Sequence, residues 1–185
     1  MEIEGFYEEV IVNLDENDVE FLLVGGLAVG FYGYARFTGD MDLWINPSTQ
    51  NLKKLEVALQ ALGFASHAIE SILEARPIDH PTPIRLFSED DRFKVDLMTT
   101  IYYEPLTFQA CYERAQILAI GKNRLRVIGI KDLIDIKSNV QRADGNIKDL
   151  VDAHELRKIL ERRDVIDIGE KESFIRRLIA KFRGI

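Results

Sequence analysis

The sequence predicts an α/β protein, a small mixed and twisted sheet with flanking helices, followed by a helical C-terminal lobe. Three observations lead there. Short apolar runs of strand length alternate with stretches of helical periodicity as far as residue 129. From Ile130 onward only helical periodicity remains. Asp40, Asp42 and Asp96 also sit at alternate positions of otherwise apolar strands, and pairing of those strands would bring them together. The expected division is residues 1–129 for the α/β part and 130–185 for the helical lobe.

The elements follow in order. Phe6, Val10, Ile11 and Leu14 repeat at helical spacing and predict a leading helix over 5–15. Residues 20–25 form an apolar strand ending in Gly25-Gly26, and Leu27 to Ala35 reads as a short helix. Met41 to Ile45 is a second strand. Pro47-Ser48 opens an amphipathic helix through Leu52, Leu55, Val57, Leu59 and Leu62, which Gly63 closes. Over 66–82, Ile69, Ile72 and Leu73 suggest a helical turn before Pro77, Pro81 and Pro83 break regularity. Residues 84–98 read as a hairpin, with strands at Ile84–Phe87 and Phe93–Met98 around a polar turn. Leu106 to Gln116 is a helix, and Ile117–Ile120 and Leu125–Ile128 are strands around Gly121–Arg124. Helices over 131–141, 146–162 and 170–182 complete the chain, the last with the apolar stripe Phe174, Ile175, Leu178, Ile179 and Phe182.

Composition narrows the function classes. The chain has 185 residues, 46% of them hydrophobic and 30% charged, enough to bury a real core. One cysteine, Cys111, excludes an internal disulfide and a cysteine-based zinc site, and fits a cytoplasmic, reducing compartment. The acidic N-terminus does not read as a signal peptide, and no segment approaches the ~20 apolar residues of a membrane span. A net charge of −7 counts against a large nucleic-acid footprint, though not against a local basic groove.

Two sites carry candidate chemistry. Gly25-Gly26 joins a strand to a helix, so the backbone can approach a ligand and the helix N-terminus can offer N–H groups to a phosphate; the same glycines also serve a tight turn. Asp40 and Asp42 share one strand face, and like charges so close call for a cation. If Phe93–Met98 pairs with Met41–Ile45, Asp96 joins them as a triad able to hold one or two magnesium ions. The competing reading pairs Asp96 with Lys94 or Arg92 on a surface. Lys137 falls on the core-facing stripe of Ile130, Leu133 and Ile134, where a lysine either snorkels or meets an anion such as a triphosphate. Arg36 could reach phosphates or base, or be a loop charge, and Lys148 with Asp152 could form a helical ion pair. His67, His80 and His154 lack ligand spacing, and Cys111 reads as a small apolar residue.

Together these residues carry a resemblance. Gly-Gly, a short helix, Asp40-x-Asp42 and a later Asp96 resemble the nucleotidyltransferase superfamily typified by DNA polymerase β and the aminoglycoside and lincosamide nucleotidyltransferases. Lys137…Arg142, then Lys148-Asp149 and Asp152, is similar to the bacterial minimal and AbiEii-type (abortive-infection toxin) members. The resemblance spans roughly residues 20–155. It implies a magnesium-dependent enzyme that moves a nucleoside monophosphate from an NTP such as ATP to an acceptor (small molecule, tRNA or protein) and releases pyrophosphate. Asp40, Asp42 and Asp96 would be catalytic and metal-binding, with Gly25, Gly26, Arg36, Thr38 and Lys137 at the nucleotide. Many members carry Gly-Ser where this chain has Gly25-Gly26, which leaves the phosphates to backbone N–H groups. A non-catalytic nucleotide-binding or protein-interaction module of the same fold is the alternative.

Overall fold

The computed structural model describes residues 3–64, 84–101, 105–139 and 147–162. Its elements are α1 (Ile3–Glu16), β1 (Phe21–Val24), α2 (Gly25–Phe31), β2 (Asp40–Ile45), α3 (Thr49–Ala61), β3 (Ile84–Phe87), β4 (Lys94–Met98), α4 (Phe108–Glu113), β5 (Gln116–Ile120), β6 (Asn123–Val127), α5 (Ile130–Asn139) and α6 (Ile147–Glu161). The expectations for 66–82 and 170–182 fall outside the described residues.

The six strands form one mixed sheet in the order β3-β4-β2-β1-β6-β5. β1 runs antiparallel to β2 and parallel to β6, and β2 runs parallel to β4. β3 with β4, and β5 with β6, are the two antiparallel hairpins expected from the sequence. All four residues of β1 are buried, as an apolar run in the middle of a sheet should be. Leu133, Ile134, Ile136 and Leu156 of α5 and α6 belong to the same buried cluster as the sheet residues.

Several details differ from expectation. α2 begins at Gly25 and ends at Phe31, so both glycines lie inside its first turn and the chain leaves the helix well before Ala35. α4 is shorter than Leu106–Gln116 because Thr107 caps it by accepting from Ala110 N–H, and Gln116 already belongs to β5. In α3, Ser48 caps the start as the sequence suggests, but Val57 is exposed. It lies about 200° around the helix from Leu55, away from the face that Leu52, Leu55, Ala58 and Leu59 bury.

A polar clamp fixes the chain into β1 and out of β2. Buried Asn51 accepts from Glu20 N–H at 2.7 Å and donates to the carbonyls of Glu20 and Asn46 at 3.1 and 3.0 Å. This ties the start of α3 to the ends of β1 and β2, and so holds the strand that bears Asp40 and Asp42.

Candidate active site

The strand register assembles the site. Parallel pairing of β2 with β4 sets Asp42 directly beside Asp96 and Asp40 beside Lys94. Asp40, Asp42 and Asp96 thereby offer one carboxylate oxygen each, all within 4.8 Å of one another. The conditional pairing on which the triad depended is present. The face continues into apolar ground, with Trp44 buried and its ring 5.4 Å from that of Phe108 in an edge contact.

Of the competing surface reading only the Lys94 contact is found, and Asp96 is buried rather than on a surface. Lys94 Nζ lies 3.0 Å from Asp96 and 3.3 Å from Asp40, so an ammonium stands between two of the three carboxylates. Arg92 turns instead to Asp90, at 2.6 Å. The neighbouring charges separate the two aspartates of β2. Burial works to raise the Asp40 carboxyl, but the hydrogen bond from Thr38 and the Lys94 ammonium outweigh it and hold it below the ordinary range. Asp42 is pushed up to about 6, by burial first and then by the charges of Asp40 and Asp96, with Lys137 and the Gly26 N–H only partly offsetting them. Asp42 is the member of the group most short of positive charge.

The donor set fits a hard divalent cation. Three carboxylates converge with no nitrogen or sulfur ligand among them, which suits magnesium rather than zinc. Asp96 Oδ1 is buried without a hydrogen-bond partner, as expected of an oxygen whose ligand is a metal ion.

The double glycine packs directly on this group. Gly25 has φ +63, and a Cβ there would fall 1.9 Å from Asp42 Oδ2, so glycine is required by conformation and by space together. A Cβ on Gly26 would lie 2.6 Å from Thr38 Oγ1 and 2.8 Å from Arg36 Nη2. The ground a serine side chain would take is already held by the Thr38 hydroxyl, which donates to Asp40 Oδ1 at 2.9 Å. Thr38 is itself buried. The hydroxyl beside Asp40 comes from the incoming loop, which the sequence alone did not reveal.

A buried charge network borders the site on its helical side. Lys137 Nζ lies 2.6 Å from Asp149 and 3.1 Å from Asp152, with all three residues almost fully buried. The lysine meets anions, and the snorkelling alternative is overturned. Arg36 Nε lies 2.8 Å from Asp152, so Arg36 is no loop charge. Asp152 pairs with Arg36 and Lys137 rather than in the suggested helical pair with Lys148. Neither Asp152 oxygen has a hydrogen bond of good geometry, so charge holds this junction of the β2 approach, α5 and α6.

Sequence reasoning missed two further residues on the face. Lys94 was seen only as a rival partner of Asp96, and Arg85 not at all; the alternation of Ile84-Arg85-Leu86-Phe87 was the available signal. Cys111 is fully buried, as read. His154 is exposed, while His67, His80 and Arg142 lie outside the described residues. Among the described residues no helix is long and apolar enough to cross a membrane.

Comparison with known proteins yields a family and a structural likeness. No protein of curated function matches the chain. A solved structure of ANT(2")-Ia in complex with adenylyl-2"-tobramycin superposes with a TM-score of 0.47 at 14% identity, covering 97% of this chain and 95% of that one. The family described as "Nucleotidyl transferase of unknown function (DUF2204)" matches residues 5–179, nearly the whole length. With that match and the triad geometry beside it, the chain belongs to this nucleotidyltransferase family and is a transferase enzyme.

Proposed function

We propose that this enzyme transfers a nucleoside monophosphate from an NTP to a hydroxyl acceptor, with magnesium held by Asp40, Asp42 and Asp96. The observation that carries the reading is the convergence of three carboxylates within 4.8 Å on one sheet face. Bound magnesium supplies Lewis-acid charge to the phosphate oxygens and to the attacking hydroxyl. Asp40 and Asp42 would ligate both ions of a pair, and Asp96 the one nearer the acceptor.

The protein's own residues then do the rest. The turn at Gly25 and Gly26 would receive the phosphates, with Thr38 orienting Asp40 beside it and Lys137 and Arg36 bordering the nucleotide on the helical side. Asp96 accepts the proton of the acceptor hydroxyl. The acceptor oxygen forms a bond to the α-phosphorus as the bond from that phosphorus to the β-phosphate bridging oxygen breaks. Pyrophosphate leaves with the bonding pair. Catalysis is then chiefly positioning and charge stabilisation. In this reading the helical lobe from residue 130 serves the nucleotide and the α/β part supplies the metal ligands.

The test is incubation of the purified protein, and of Asp42→Asn, with cell lysate, magnesium and each radiolabelled NTP. Label should enter one fraction (RNA, protein or small molecules) with wild type and fall below about a thousandth with the variant, which keeps its fold. Full transfer by Asp42→Asn would defeat the mechanism.

A further inference from the structure

Beyond the triad, the same sheet face carries a second group of side chains in a row. On β3, Arg85 stands directly opposite Asp96 and Phe87 directly opposite Lys94. Directly opposed residues of antiparallel strands share a face. Two rows therefore cross the sheet: Asp42, Asp96 and Arg85, then Asp40, Lys94 and Phe87. Ile84 and Leu86 turn the other way and are buried, whereas Arg85 and Phe87 are exposed, Phe87 at 46%.

The two sides of the triad differ in what they offer. On the β1 side, Gly25 touches Asp42, and Lys137 acts on Asp42 from α5. That side is filled by the elements assigned to the triphosphate. On the β3 side, the cation Arg85 stands opposite Asp96 and the aromatic ring of Phe87 opposite Lys94, and both are open to solvent. Arg85 Nε stands 3.5 Å from Asp96 Oδ1, too far for a hydrogen bond, and that oxygen has no hydrogen-bond partner. The Arg85 guanidinium is thus held beside Asp96 by charge, with its donors open to solvent.

We propose that Arg85 and Phe87 form the acceptor subsite, and that the acceptor is an alcohol bearing an anionic phosphate and a planar ring near its hydroxyl. This rests on the nucleotidyltransfer reading and deepens it. Arg85 takes the phosphate through paired N–H donors, which match its oxygens in geometry and charge. Phe87 takes the ring by stacking. A free nucleotide and the end of an oligonucleotide present this chemistry equally. A cationic acceptor would have Arg85 and Lys94 facing it.

The experiment separates this inference from the reading beneath it. The full chain is first titrated with magnesium and an NTP analogue whose α,β-bridging oxygen is a methylene group. Failure to bind that pair defeats the transfer reading, and this inference with it. With the analogue saturating, calorimetry then compares adenosine 5′-monophosphate, adenosine, ribose 5-phosphate and the dinucleotide ApA. We expect the monophosphate to bind at least tenfold tighter than adenosine and severalfold tighter than ribose 5-phosphate. Arg85→Gln should abolish the first difference and Phe87→Ala the second, with analogue binding unchanged in both; Arg85→Lys should restore part of the first. ApA binding tighter than the monophosphate points to an oligonucleotide end, and the reverse to a free nucleotide. Equal affinity for monophosphate and adenosine, absence of binding by either, or an Arg85→Gln variant that behaves as wild type overturns the proposal.

Discussion

Gly25 and Asp42 stand so close that a Cβ at position 25 would fall 1.9 Å from the Asp42 carboxylate oxygen. The glycine that follows β1 and opens α2 therefore sets the position of the carboxylate on β2. Gly25→Ala adds about 1–2 kcal/mol of left-handed backbone strain and must push Asp42 aside. Metal affinity and transfer should both fall by at least about 100-fold, an effect of about 3 kcal/mol. Manganese titration and the transfer assay measure this, and an alanine variant with wild-type metal affinity would contradict it.

Gly26 and Thr38 should show coupling of the same kind. Gly26→Ser alone meets the Thr38 hydroxyl and side chain at 2.6 and 2.9 Å. It should lower stability. Thr38→Gly in the same chain removes the Thr38 contacts and leaves only the flexible Arg36 Nη2 at 2.8 Å. A double-mutant cycle on unfolding free energy should give a favourable coupling of about 1 kcal/mol or more. Simple additivity would mean that the two side chains do not compete.

The raised Asp42 carboxyl gives the metal-free protein an unusual pH dependence. Burial, then the charges of Asp40 and Asp96, lift it from 3.8 to about 6. Between those values the native state holds a proton that the unfolded chain has lost. The Asp42 contribution is therefore fully present below 3.8 and is lost as pH rises through about 6. Asp40, whose carboxyl is held low, acts in the opposite sense and at lower pH. In the presence of chelator, the melting temperature of wild type relative to Asp42→Asn should decline over this interval. Magnesium affinity should instead climb as Asp42 ionises. Parallel melting profiles for the two proteins would refute the assignment.

The Asp152 junction should be costly to break. Asp152→Ala leaves Arg36 and Lys137, both largely or wholly buried, with fewer anions. Removing one partner from a buried charge pair costs about 3–5 kcal/mol, which urea unfolding would register. A loss below about 1 kcal/mol would show the network to be surface-like in energy.

Much of this was legible in the sequence because it depends on periods. Alternation placed Asp40 with Asp42 and set Asp96 against Val95 and Leu97, and helical spacing placed Lys137 on a buried stripe. The errors came where local and tertiary preferences compete. The double glycine read as the end of β1 with the helix starting at Leu27, yet α2 takes both glycines, and the close approach to Asp42 and Thr38 leaves room for nothing larger at either. Val57 looked apolar enough for the core but lies on the wrong side of α3.

The sequence by itself determined the strands, the helices and the three aspartates, since side-chain period and composition are local properties of the chain. Only the tertiary structure decided the partners. Parallel register between β2 and β4 brought Asp42 to Asp96, and β3 pairing brought Arg85 and Phe87 onto the same face. Packing of α5 and α6 delivered Asp149 and Asp152 to Lys137, and the fold around Gly26 put the Thr38 hydroxyl against that glycine. Such contacts join residues far apart in the chain, and their energies depend on register and burial, which no local spacing encodes.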